Sequence, residues 1–148
     1  MLVVAIAVGA WLVWEPHTRT PFEVTAVHSR IDIPPGDTLS PPLPGTRPAI
    51  DASRAYAIAH GTPFIRDHRP VLRLGILGNS GEGINPGAMQ GQLVWVVSYH
   101  LDIRECPASQ GDPPCGGTSP SHCDITQFVN ATTGRLDSGN YVTWTPTG

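Results

Sequence analysis

The run Leu93-Val94-Trp95-Val96-Val97-Ser98-Tyr99 alternates with the period of a strand, yet it is apolar on both sides. Leu93, Trp95, Val97 and Tyr99 share one face, and Val94, Val96, Ser98 and His100 share the other, which marks a strand in the middle of a sheet. A second run, Asp124 to Asn130, ends in Asn130-Ala131-Thr132-Thr133-Gly134, where Gly134 supplies a positive φ and Asn130 bonds its own turn backbone. Together they predict one antiparallel hairpin from Gln92 to Leu136. A third strand is predicted over Val71 to Leu77, with Leu72, Leu74 and Ile76 directed at a helix and Arg73 at water. Gly139 to Trp144 offers either a short terminal strand or a frayed end.

One helix is predicted. Asp51 is its N-cap, Ile50 a staple against Ala55 and Gly61 its left-handed stop, which gives about ten residues. Ala52, Ala55, Tyr56 and Ala59 fall on one face. Three alanines there bring the helix close to whatever it covers, and the large residues of the strands are the natural complement.

Residues 1–14 are uninterrupted apolar or small residues, closed by Glu15-Pro16. At 1.5 Å per residue they make about 21 Å of helix, against a hydrocarbon layer of roughly 30 Å. No Arg or Lys precedes Arg19, so the basic flank of a cleaved signal peptide is missing. A signal anchor, with Trp11 and Trp14 at the headgroup level, fits better, and an ordinary buried segment is the third reading. Both membrane readings export the rest of the chain, either tethered outside the cytoplasmic membrane by a single N-terminal span or secreted. Residues 15–48 hold eight prolines, which rules out a long helix. They are predicted to be a tether, with an edge strand offered by residues 22–33 and an extended linker after it. The α+β domain is placed at residues 49–148.

Composition narrows the function more than it defines it. Charged residues are 14% of the chain and the net charge is -3, so no basic field exists to attract nucleic acid. Three cysteines in an exported chain imply one disulfide and one leftover thiol. Cys106 and Cys123 are the attractive pair, because they follow and precede the two hairpin strands. Cys115 would then stand in the intervening loop, and a pairing of Cys115 with Cys106 is the alternative.

The helix, the following strand, the run around Trp95 and the sequence Phe128-Val129-Asn130-Ala131-Thr132-Thr133-Gly134-Arg135-Leu136 resemble the PepSY family of small extracytoplasmic domains. That family closes its last hairpin on a valine-aspartate-alanine-x-threonine-glycine-x-aliphatic motif. Trp95, Val129, Asn130, Ala131, Thr133 and Gly134 carry the likeness, with Asn130 standing in place of the aspartate. The resemblance covers about residues 49–136. It implies a cystatin-like α+β fold, one short helix packed across a three- to four-stranded antiparallel sheet. It also implies a non-catalytic role in binding or regulation, associated in the family with peptidases and envelope sensing, with no catalytic residue and no cofactor.

Other constellations read less well. Gly78-Asn79-Ser80-Gly81 has the look of a nucleophile turn with His60 and Asp67 as partners, but Glu82 replaces the usual further glycine. His60, His68 and His100 offer a metal or pH-sensitive site only if the fold gathers them. A zinc site from Cys106, Cys115, His122 and Cys123 lacks knuckle spacing. The expected function is therefore a non-catalytic, membrane-tethered extracytoplasmic binding or regulatory domain, acting on a protein or peptide partner at the cell envelope. The 16 residues between Cys106 and Cys123 are the expected contact surface. The alternative is a small secreted hydrolase or metal-binding protein using His60 and Ser80 or the Cys/His loop.

Overall fold

Short strands form wherever the prolines leave room, and they join the predicted hairpin in one sheet. The computed structural model describes residues 20–33, 36–61, 68–79, 89–107, 120–137 and 141–146. Among the described residues there are seven strands: β1 (Glu23–Val24), β2 (Ile31–Ile33), β3 (Asp37–Ser40), β4 (Val71–Asn79), β5 (Leu93–Asp102), β6 (Pro120–Asn130) and β7 (Tyr141–Pro146). Their order is β2-β3-β4-β5-β6-β7, antiparallel at each step. β1 lies parallel to β4 and pairs with Val71 and Leu72, while β3 takes the same edge farther along, from Ile76 to Asn79.

Period-two alternation splits the core between the two faces of this sheet. Leu72, Trp95, Val97, Tyr99, Leu101, Ile125, Val129 and Ala131 pack on one face with Ala55 and Ala59 of the α-helix α1 (Ala52–Ala59). Both alanines are fully buried, so the helix rides close on the large sheet residues as its composition requires. Phe22 seals the edge of this layer against Tyr56, whose ring in turn stacks on His60. On the other face Val27, Ile33 and Leu39 from the first part of the described chain meet Val94, Val96, Phe128 and Tyr141. Contact between the two ends of a six-strand path requires the sheet to curl, and the result is a half-barrel with this second face inside.

Gly75 makes the curl possible. It lies on the inner face of β4, and a Cβ there would sit 2.5 Å from Leu39 Cγ and 2.6 Å from the Ser40 carbonyl oxygen. The hydrogen atom lets β3 fold inward over β4. Outside the curl, Cys106 and Cys123 are joined as a disulfide across 17 positions. Closing a loop of that length stabilises by about 3 kcal/mol through the unfolded chain.

The three- to four-stranded, cystatin-like sheet is thus corrected to a curled sheet of seven strands with one short helix. The additional strands come from the segment read as a tether. Its prolines exclude helix but not strands of two to four residues set between them at a sheet edge. Phe22, Val27, Ile33 and Leu39 of that segment are all buried. The C-terminal strand forms as well, and β6 begins at Pro120, inside the stretch assigned to the loop. The helix is shorter than expected, at eight residues. Asp51 caps it by accepting from the Arg54 N–H at 2.8 Å, but Gly61 is not left-handed, and the helix ends on the His60 N–H to Tyr56 carbonyl bond. The predicted membrane segment, with Trp11 and Trp14, lies outside the described residues. Among those described, no helix is long and apolar enough to cross a membrane.

Replacing Gly75 by alanine tests the curl. The Ser40 carbonyl is backbone and cannot rotate away, so Gly75→Ala should destabilise by about 1–3 kcal/mol in urea unfolding, as overpacking does. An unchanged midpoint would mean that β3 does not approach so closely.

Candidate functional site

The motif that carries the family resemblance is a structural joint. Asn130 Oδ1 accepts from the N–H groups of Thr132 at 2.9 Å and Thr133 at 2.8 Å, and its Nδ2 donates to Gln92 Oε1. Either asparagine or aspartate can supply that acceptor. Gly134 closes it with φ of 73°. Thr133 Oγ1 accepts from the Arg135 N–H. Val129 stands opposite Trp95 and bridges to Leu136. The Ala131 carbonyl accepts from both Ala49 and Ile50, and Trp95 Nε1 donates to the Ile50 carbonyl at 3.0 Å. These residues hold the start of the helix; they do not form a pocket.

A cleft of about 370 Å³ opens instead on the concave face. Its floor follows from register. Along β5 the inward residues change from Val94 and Val96 to Ser98 and His100, and along β6 from Phe128 to Thr126 and Asp124. Ser98 stands opposite Thr126 and His100 opposite Asp124, so both strands turn polar at the same rungs. Arg73, inward from β4 opposite Val96, joins them, and Arg69 lies beside the entry to β4. Ile31, Asp32 and Ile33 of β2 form the facing wall.

The charges within this cleft are largely unspent. Arg73 makes no hydrogen bond or ion pair among the described residues, and Arg69 reaches only the Phe22 carbonyl at 3.5 Å. His100 Nδ1 lies 2.8 Å from Asp124 Oδ1, and its ring meets that of His122 at 4.5 Å. Thr126, 5% exposed, lines the cavity from a core position. A few polar groups converging on a partly apolar hollow is the usual make-up of a ligand pocket.

Deeper under the curl, Asp37 is 1% exposed and neither carboxylate oxygen has a hydrogen-bond partner. Burial, then the neighbouring charge of Asp137, raises its carboxyl above the ordinary range. Asp137 itself accepts from the Tyr141 hydroxyl at 2.7 Å. Burial and that bond keep the Tyr141 phenol protonated.

The histidines singled out in the sequence do not converge. His60 stacks on Tyr56, His68 lies 3.3 Å from Glu105, and His100 pairs with Asp124. Among the described residues no three His, Cys, Asp or Glu side chains are placed to share a metal ion. Cys106 and Cys123 are committed to each other, which removes two of the four proposed zinc ligands. Ser80, Asp67 and Cys115 lie outside the described residues, as does most of the loop between the bonded cysteines. Strand periodicity alone turns Arg73 to water and does not single out Ser98, Thr126 or Asp37. The paired change from valine and phenylalanine to serine and threonine was the signal available. Compared with known proteins, the chain matches no family model, no curated protein and no solved structure.

Asn130→Ala should destabilise by about 1–2 kcal/mol in thermal or urea unfolding, since two turn N–H groups lose their acceptor. Asn130→Asp should lose much less; equal losses would contradict the role of Oδ1. A second prediction concerns pH. Because the folded state raises the Asp37 pKa, its contribution to stability is complete below the ordinary carboxylate value and is lost as pH rises through the folded one. The melting temperature should therefore fall, as pH rises above about 4, more steeply in wild type than in Asp37→Asn. Parallel profiles for the two proteins would contradict this.

Proposed function

We propose that this chain is a non-catalytic binding module that works outside the cytoplasmic membrane, tethered by its N-terminal segment, and that it recognises its ligand or partner in the concave cleft. One observation carries the reading. Concave-face positions on three adjacent strands are given over to Arg73, Ser98, His100, Asp124 and Thr126, where the same face farther along carries Val94, Val96 and Phe128. Three further features support it. On the opposite face the helix covers β5 and β6. The disulfide suits an oxidising compartment. The turn at Asn130 and Ala131 holds the helix entry in place on that opposite face. Regulation of a peptidase or another envelope protein is the role such a module would serve, with recognition moved from the disulfide-closed loop to the cleft.

Photo-crosslinking in intact cells tests this. A benzophenone side chain at Asp32, on the exposed rim of the cleft, should give a discrete adduct, whereas the same group at Ala57, on the outer face of the helix, should give none. Adducts from Ala57 alone would overturn the proposal.

A further inference from the structure

Two carboxylates meet where the curled sheet closes on itself. Asp37 opens β3, two residues before Leu39 and on the same side of the strand, so it faces the interior of the curl. Asp137 comes from the other end of the sheet. Its N–H donates to the Phe128 carbonyl of β6 at 2.9 Å, and its Oδ2 accepts from the hydroxyl of Tyr141, the first residue of β7. Leu39, Phe128 and Tyr141 belong to one buried cluster, although β3 and β7 lie far apart in the strand order. Burial, the bond to Asp137 and the charges of both aspartates raise the Tyr141 phenol, so the three acidic groups share one neighbourhood.

The folded chain leaves this neighbourhood with unmet demand. Asp37 is 1% exposed and neither of its oxygens has a hydrogen-bond partner. Burial, then the charge of Asp137, raises its carboxyl, and no cationic side chain acts in the opposite direction. Asp137 has one oxygen on Tyr141 and makes no ion pair among the described residues. A carboxylate withdrawn from water is strongly unfavourable unless it is paired or coordinates a metal. A proton on Asp37 would remove the charge and still leave both oxygens without a partner. A cation shared by the two carboxylates removes both faults at once.

The donor set points to the kind of cation. Carboxylate and hydroxyl oxygens are hard ligands, and among the described residues no third carboxylate, imidazole or thiol joins them. Calcium suits such a set, because its flexible shell of about six to eight oxygens is completed by carbonyls and water around a small number of carboxylates. We propose that Asp37 and Asp137 hold a calcium-class divalent cation beside the Tyr141 hydroxyl, and that the ion staples β3 to the connection between β6 and β7. With two carboxylates the dissociation constant should be about 10⁻⁴–10⁻³ M, the range of extracellular calcium modules. None of the three residues lines the concave cleft, so the ion site stands apart from the recognition site.

The test uses the full chain at neutral pH, with calcium chloride as the probe and sodium chloride at equal ionic strength as the control. Calcium should raise the melting temperature in a saturable way that sodium chloride does not reproduce. Asp37→Asn and Asp137→Asn should each weaken binding at least about tenfold, since each removes one of two ligand charges. Glu23→Gln, at an exposed carboxylate on β1, should respond as wild type does. Terbium, which occupies calcium sites and emits when an aromatic ring beside it is excited, locates the ion without an aspartate variant. Its tyrosine-sensitised emission should be displaced by calcium and should fall several-fold in Tyr141→Phe while terbium affinity changes little. Equal calcium binding in wild type and both aspartate variants would overturn the site. So would terbium emission that Tyr141→Phe leaves unchanged, or melting temperatures that follow ionic strength alone.

Discussion

The carbonyl of Ala131 receives the N–H groups of both Ala49 and Ile50, and the indole of Trp95 reaches the Ile50 carbonyl from the neighbouring strand. That clamp fixes where the chain must enter the helix. An eight-residue helix is too short to be stable alone, so its position depends on being held at one end and packed along one face. The Asx turn at Asn130 presents the Ala131 carbonyl, and the central hairpin presents Trp95. Breaking either would release the helix and uncover the sheet layer beneath Ala55 and Ala59.

With one face taken, the sheet must bury its other face by curling. β3 folds over Gly75, and Leu39 meets Leu77 directly opposite in register. The apolar end of the concave face closes on Phe128 and Tyr141, whose rings lie 5.4 Å apart in an edge-on arrangement. The polar end does not close. It leaves a hollow whose floor is the most extensively paired part of the sheet, so the side chains above it are held by strands rather than by loops. Such a floor arranges polar groups before a ligand arrives, which reduces the ordering cost of binding.

Much of the hairpin and helix could be read from the sequence, because their signals are local. The alternation around Trp95, the Asn130–Gly134 turn and the cap at Asp51 each depend on a few neighbouring residues. The sheet's extent was not legible, since β1, β2 and β3 are only two to four residues long and sit among prolines that favour extended linker as readily as strand. The pairing of β1 and β3 with β4 spans long stretches of chain, and the place of all three strands is settled by burial of Phe22, Ile33 and Leu39, not by local propensity. The cleft was hidden for the same reason. Arg73 is an outward residue in an isolated strand and becomes an inward one only after the sheet curls. Serine and threonine at positions 98 and 126 are unremarkable singly and acquire meaning when register sets them opposite each other.

The clamp on the helix entry is the central claim, and amide hydrogen exchange reads it directly. The amides of Ala49 and Ile50 should exchange with the same opening free energy as those of β5 and β6, because they can be released only when the hairpin itself comes apart. If those two amides exchange orders of magnitude faster while β5 and β6 stay protected, the helix entry opens independently of the hairpin and the account is contradicted.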